Sequence, residues 1–292
     1  MDYQKKYQEY LTRTEERIQT LGKTFLPQES TTAQAAQYSL LAGGKRVRAI
    51  LVQAACDMLG GDVEAAADLS VAVEMLHCYS LIHDDLPCMD NDDFRRGKPS
   101  CHKVYGETTA LLAGDALLTE AFAVVVNAPL SDTARVQAAQ ALGLGAGLRG
   151  MVYGQELDLK YEAESPTEEQ LLSVHRHKTG ALINAALQMG AAAAGAGAQD
   201  KAALERYAYD IGLVFQIVDD VLDVTSTQEE LGKPIGSDAQ QGKTTFVTLH
   251  GVEAALEKAR QINKRACKAL EPYGEKAEFL ICLAQQLMER KN

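Results

Sequence analysis

Residues 200–223, DKAALERYAYDIGLVFQIVDDVLD, decide how this chain is read. Leu204, Tyr207, Ile211, Val214, Val218 and Val221 recur at spacings of three and four, which puts them on one apolar face of an α-helix. Asp200 stands where a helix-opening cap belongs. At the far end, Asp219-Asp220-Val221-Leu222-Asp223 sets Asp219 and Asp223 one turn apart on the same side. These carboxylates sit among Phe215, Ile217, Val218, Val221 and Leu222, and charges in such company need partners or a metal. The stretch therefore predicts a long core helix that also carries chemistry.

The same helical period recurs along the rest of the chain. Asp62 caps a predicted segment from Val63 to about Leu86, with Leu69, Val73, Leu76 and Leu81 as apolar steps and Pro87 to end it. Thr31 with Gln34 forms a capping-box pattern for a helix running towards Leu41, broken at Gly43-Gly44, and Lys45-Arg46-Val47-Arg48 opens the next. A further helix is expected from about Gly106 to Val126. Ser165-Pro166-Thr167-Glu168 predicts another start, with Ser165 as the cap. The uncharged run Gly180 to Gln199, mostly Ala and Gly, reads as a tightly packed internal helix rather than a membrane span. Leu231 to Gly242 reads as a loop. No Pro/Gly/Ser-rich linker, internal repeat or strand alternation appears, so the expectation is all-α, one domain over 1–292.

Composition agrees. Of 292 residues, 46% are hydrophobic and 24% charged, there are only seven prolines and no Trp, so disorder is excluded and sheet proteins are disfavoured. Lys+Arg 29 against Asp+Glu 40 gives 29 − 40 = −11, a balance that repels nucleic acid and anionic lipid. The six cysteines form no CxxC pair and read as free thiols of a reducing compartment. The charged start has no apolar signal core, and no anchor or basic amphipathic helix is visible, so a cytoplasmic location is expected.

A second acidic cluster lies more than a hundred residues upstream of the first. Asp84-Asp85-Leu86-Pro87-Cys88-Met89-Asp90, followed by Asn91-Asp92-Asp93-Phe94-Arg95-Arg96-Gly97, crowds carboxylates at the end of an apolar helix. Bound cations would relieve that repulsion, and oxygen-only donors suit magnesium. Taken alone, the segment could be a solvated helix end. Lys45, Arg48, Arg95, Arg96, Lys178-Thr179, Lys233 and Lys243 add cationic groups suited to phosphate.

Together these motifs resemble the trans-isoprenyl diphosphate synthases, and among them the bacterial short-chain farnesyl diphosphate synthases. The matching segments are GGKRVR at 43–48, HCYSLIHDDLPCMDNDDFRRGKPSCH at 77–102, GQELDL at 154–159, HKTG at 177–180, FQIVDDVLD at 215–223 and LGKPIGSDAQQGKTT at 231–245. The resemblance implies an isoprenoid-synthase fold: a homodimeric helical bundle whose two aspartate helices face each other across a deep central cavity. It implies Asp84, Asp90 and Asp219 as main ligands of three Mg2+ ions, supported by Asp85, Asp220 and Asp223. It places the allylic diphosphate on Arg95, Lys178, Lys233 and Lys243, with Thr179 and Gln216 at the reacting end. Isopentenyl diphosphate would lie on Lys45, Arg48, His77 and Arg96.

The implied reaction is a head-to-tail condensation of isopentenyl diphosphate with dimethylallyl and then geranyl diphosphate, giving farnesyl diphosphate. The allylic carbon–oxygen bond ionises, the alkene attacks, and a proton leaves with diphosphate as base. Tyr79 lies five residues before Asp84, about 7.5 Å deeper along a helix axis. By the resemblance it is the floor for a fifteen-carbon tail, with the small Ser80 beside it. A plain core aromatic is the other reading of Tyr79. Two alternatives accompany the main one: a geranylgeranyl diphosphate synthase with the same chemistry and a deeper cavity, and a noncatalytic subunit of a heteromeric prenyltransferase.

Overall fold

The computed structural model describes residues 1–162, 164–225 and 243–290, and helical periodicity runs through nearly all of them. In chain order the helices are α1 (Tyr3–Phe25), α2 (Thr31–Leu40), α3 (Val47–Met58), α4 (Val63–Asp84), α5 (Cys101–Tyr105), α6 (Glu107–Asn127) and α7 (Asp132–Ala146). There follow α8 (Met151–Glu162), α9 (Glu168–His175), one turn of π-helix (Arg176–Gly180) and α10 (Ala181–Ala193). The remainder are α11 (Ala198–Thr225), α12 (Phe246–His250), α13 (Val252–Leu270), a 3-10 segment (Glu271–Ala277) and α14 (Glu278–Glu289). The fold is all-α. Its one departure among the described residues is an antiparallel ribbon, β1 (Phe94–Arg95) with β2 (Lys98–Pro99), which local alternation in the sequence did not announce. Arg96 and Gly97 turn it at φ 55° and 74°, the two positive angles that a tight hairpin of matching twist requires.

The described residues fall into two compact units. One comprises Asp2–Ala141 with Met189–Ala196; the other comprises Met1 and the described residues of Leu142–Gln188 and Gly197–Asn292. Two of the boundaries lie inside α7 and α10, and another, Ala196 to Gly197, lies in the short connection between α10 and α11.

In the first unit α4 is the central helix, packed on α1, α3 and α6. Asp62 caps it as expected, accepting from the backbone N–H groups of Glu64 and Ala65. Leu69, Val73 and Leu76 are fully buried, each such side chain contributing about 2 kcal/mol of transfer free energy. α4 and α6 are both long and apolar enough to cross a membrane by length and composition. The most apolar window of α4 is 78% buried within the protein, which marks it as a core helix, against 39% for α6. The cap of α2 is Ser30 rather than Thr31: its side chain accepts from the Ala33 N–H.

The second unit is organised on α11, packed along α13. Leu204, Tyr207, Ile211, Val214, Val218 and Val221 are all buried, as their spacing predicts. The Tyr207 hydroxyl donates to the Leu280 carbonyl at 2.5 Å and fastens α14 to the stripe. α11 begins at Ala198, before Asp200, whose carboxylate accepts from the Gly197 N–H. α9 starts two residues later than the Ser165 pattern predicts. Thr167 is its cap, in a reciprocal box with Gln170, and this pair satisfies two amides that Ser165 would have left open.

Candidate functional site

In the first unit the basic and acidic stations are brought together by two glycine-bearing turns. Gly43 and Gly44 take positive φ, 84° and 127°, and the Arg96 guanidinium donates to the Gly43 carbonyl. A methyl group added at Gly44 would lie 2.9 Å from that guanidinium carbon. Lys45 is exposed beside it, its carbonyl held by the Tyr7 hydroxyl at 2.6 Å. Arg48 Nη1 lies 3.4 Å from His77 Nε2. Lys45, Arg48, His77 and Arg96 are thus neighbours. Arg48 Nε is buried with no hydrogen-bond partner among the described residues, a donor that wants an acceptor. Burial, together with Arg48, Arg96, Arg46 and Arg95, pushes the His77 imidazole well below its usual range, so it is neutral at pH 7.

Arg46 is the residue of this segment that sequence reasoning missed. The basic run looks like uniform phosphate-binding punctuation, yet Arg46 turns inward at φ 48° and is 3% exposed. It pairs with Glu15 at 2.7 Å and Glu74 at 3.3 Å and donates to the Leu40 carbonyl at 2.7 Å. Glu74 also accepts from the Ala49 N–H at 3.3 Å, which serves α3, a helix without a side-chain cap of its own. The buried network fixes where Lys45 and Arg48 emerge.

The first aspartate cluster closes the C-terminus of α4. Pro87 ends the helix and the chain folds back so that the Asp90 N–H donates to the Asp84 carbonyl at 2.8 Å. Two carboxylates six residues apart in sequence therefore stand at one helix end, Asp84 half-buried and Asp90 exposed. Asp85 is buried, and Arg95 spends its guanidinium there, through Nε at 2.9 Å and through Nη2, while Nη2 also reaches Asp92 at 3.0 Å. Burial pushes the Asp85 carboxyl up and the Arg95 bond opposes it. Tyr79 is 8% exposed and lies edge-on to His83 at 5.5 Å. His83 in turn contacts the Leu111 carbonyl at 2.9 Å. Ser80 is half-buried and bonds back to the His77 carbonyl.

In the second unit the π turn presents its side chains to two helices. Lys178 Nζ donates to Asp158 of α8 at 2.5 Å, and the Thr179 hydroxyl donates to the Gln216 side-chain carbonyl of α11 at 2.5 Å. Arg176 stacks over the Tyr209 ring at 3.7 Å and Tyr153 meets His177 edge-on at 5.0 Å. Gly154 of α8 touches the turn backbone to backbone, and Gly212 of α11 lies so close that an added methyl would be 3.0 Å from Gly180 Cα. Asp158 escaped sequence reasoning as a partner of Lys178. Its spacing of four from Gly154 puts both on the face of α8 that meets the turn, and that spacing was the available signal.

On α11, Asp220 is 7% and Asp223 1% exposed, with Asp219 half-buried. The Asp220 carboxylate accepts from the Phe246 N–H at 2.9 Å and so anchors the start of α12. Phe246 stacks on His175 at 5.7 Å. Asp219 accepts from Arg290 at 2.6 Å, a contact nothing in the sequence announced. Lys243 pairs with Glu162 at 3.3 Å. Lys233 lies outside the described residues, as does most of the 231–245 motif.

Among the described residues no three His, Cys, Asp or Glu side chains form a cluster that could hold an ion unaided. Magnesium characteristically takes one or two carboxylates, keeps several waters and completes its octahedron with substrate phosphates. The all-carboxylate donors of each cluster fit that habit.

Residues 29–280 match the sequence profile of the family described as polyprenyl synthetase. The chain is 48% identical over 263 residues to a chloroplastic geranylgeranyl pyrophosphate synthase of Capsicum annuum, covering 89% of this chain and 71% of that one. Among solved structures, a geranyltransferase from Legionella pneumophila superposes with TM-score 0.87 at 39% identity, covering 99% of this chain and 97% of that one. A geranyltransferase from Helicobacter pylori, complexed with magnesium and isoprenyl diphosphate, superposes with TM-score 0.86 at 35% identity, covering 98% of each chain.

Proposed function

This chain belongs to the polyprenyl synthetase family and is a prenyltransferase acting on isoprenyl diphosphates, and we propose that it joins isopentenyl diphosphate to allylic diphosphates in a magnesium-dependent condensation. The observation that carries the proposal is the turn after α4, which returns Asp90 to Asp84 and so sets two carboxylates at one helix end. Asp84, Asp90 and Asp219 are the main metal ligands of this reading, supported by Asp85, Asp220 and Asp223, with three ions in all. When bound, magnesium neutralises the diphosphate and stabilises it as a leaving group.

The chain's own groups do the rest. Arg95, Lys178, Lys233 and Lys243 hold the allylic diphosphate, and Arg95 and Lys178 come to that task already oriented by Asp85 and Asp158. Thr179 and Gln216, bonded to each other, face the carbon that becomes cationic. Lys45, Arg48, His77 and Arg96 bind the diphosphate of the second substrate, and the orphaned Arg48 Nε is a donor for it. Apolar walls exclude water from the cation, and the departed diphosphate takes the proton. The homodimer belongs to the same proposal. Leu111 and Leu112 stand 45% and 48% exposed on α6 as apolar surface for a second copy, and light scattering on the purified protein should return twice the chain mass.

For the product, the relatives favour twenty carbons: the curated sequences at 46–48% identity include geranylgeranyl synthases of Capsicum annuum and Cyanophora paradoxa. One specific observation favours fifteen. The Tyr79 ring is buried on α4 and braced against His83, where a growing tail would meet it. Product analysis with magnesium, isopentenyl diphosphate and dimethylallyl diphosphate separates them. A mainly twenty-carbon product is the expected result and removes Tyr79 as a floor. A mainly fifteen-carbon product instead favours the floor, and Tyr79→Ala should then lengthen the product to twenty carbons or more. Absence of any magnesium-dependent product from every allylic starter would overturn the proposal.

A further inference from the structure

Arg290 follows α14 and lies against the second aspartate cluster. Its Nη2 donates to Asp219 Oδ1 at 2.6 Å and to the Phe215 carbonyl at 2.7 Å. The guanidinium carbon sits 3.8 Å over the Phe215 ring. Phe215 and Asp219 are one turn apart on α11, so a single planar cation reads the aromatic face, the backbone and the carboxylate of one helix surface. The arginine side chain is 10% exposed, and its Nε is buried with no hydrogen-bond partner among the described residues. That burial distinguishes the contact from a surface ion pair such as Arg260 with Glu257, whose side chains are 62% and 58% exposed.

A magnesium ion needs a carboxylate lone pair at about 2.0–2.1 Å. A guanidinium N–H already occupies one oxygen of Asp219, and a divalent cation brought there would meet a positive charge at close range. Both cations compete for one carboxylate.

We propose that Arg290 is a built-in counter-cation of Asp219, which neutralises that one carboxylate of the second aspartate cluster and is displaced when magnesium and diphosphate bind. The proposal rests on the reading of Asp219 as a metal ligand. It makes the last helix a participant in metal loading, because release of Asp219 also releases Arg290 from Phe215.

The test is calorimetric titration of the full-length protein with magnesium chloride in the presence of inorganic diphosphate. Arg290→Gln should bind magnesium about threefold to tenfold more tightly than the natural chain, the range expected when one charge-assisted competitor is removed. Arg290→Lys, which keeps the charge, should stay within about twofold of the natural chain. Arg260→Gln removes an equal charge from α13 without touching Asp219 and should leave the affinity unchanged. Unchanged or weaker binding in Arg290→Gln overturns the proposal, and so does an equal gain in Arg260→Gln. Asp219→Asn separates the two layers: it should lose magnesium affinity, and if it does not, the ligand reading of Asp219 fails. If Asp219→Asn loses affinity while Arg290→Gln stays the same, only the counter-cation is wrong.

Discussion

Asp84→Ala is expected to lower the condensation rate by about a thousandfold or more while leaving the melting temperature nearly unchanged. The two halves of that expectation have separate causes. The rate loss follows from removing a carboxylate that would hold magnesium, whose stabilisation of a departing diphosphate is stronger in the transition state than before it. The preserved fold follows from how the turn is built. Its closing bond runs from the Asp90 N–H to the Asp84 backbone carbonyl, which alanine retains, and the buried carboxylate of the segment is the neighbouring Asp85, neutralised by Arg95. Diphosphate-release kinetics beside circular-dichroism melting give both numbers. Near-normal turnover would remove Asp84 from the metal site, and a collapsed melting temperature would show that its carboxylate holds the turn.

Gly154→Ala should damage the second unit in a different way. A methyl group there would fall within the van der Waals envelope of the Lys178 backbone nitrogen and Cα and lie 2.6 Å from the His177 carbonyl carbon. Every one of those atoms is backbone, so no rotamer change relieves the clash, and either α8 or the π turn must move. Overpacking of this kind costs roughly 1–3 kcal/mol or more, which corresponds to a melting temperature lower by several degrees. The displacement also carries Lys178 and Thr179 away from Asp158 and Gln216, and a misplacement of about 1 Å costs on the order of a hundredfold in rate. Gly22→Ala is the matched comparison. That methyl would meet nothing within 4 Å inside α1, so it should be neutral or slightly stabilising. Equal melting temperatures for the two variants would refute the close packing of α8 on the turn.

Features with a local cause were legible in the sequence, and features made by distant packing were not. The stripe from Leu204 to Val221 was readable because a period of 3.6 residues is itself the reason those side chains share a core. Asp62 was readable as a cap because its acceptor and the amides it serves are adjacent in the chain. The cap of α9 was misplaced because Ser165-Pro166 and Thr167 each offer a plausible start, and the reciprocal bond with Gln170 decides between them. Asp219, Asp220 and Asp223 stood out because carboxylates in apolar surroundings have few structural uses, and the cluster from Asp84 to Asp93 because so many carboxylates crowd one helix end. The inward turn of Arg46, the partnership of Asp158 with Lys178 and the arrival of Arg290 at Asp219 depend on residues 20 to 71 positions away. No short-range spacing names the partner in such meetings, although the four residues from Gly154 to Asp158 mark the face of α8 on which one of them occurs.

The π turn at Arg176–Gly180 has a further consequence for how this sequence can change. A π turn amounts to one residue inserted into an α-helix, and each residue advances a helix by roughly 100°. Deleting a single residue between 176 and 180 would restore an unbroken helix from Glu168 to Ala193. It would also rotate everything on one side of the deletion by that angle, so that the buried face of α10 and the residues meeting α8 could no longer both keep their alignment. Length variation in this chain should therefore be tolerated in its loops and excluded from this stretch, even though the stretch is helical throughout.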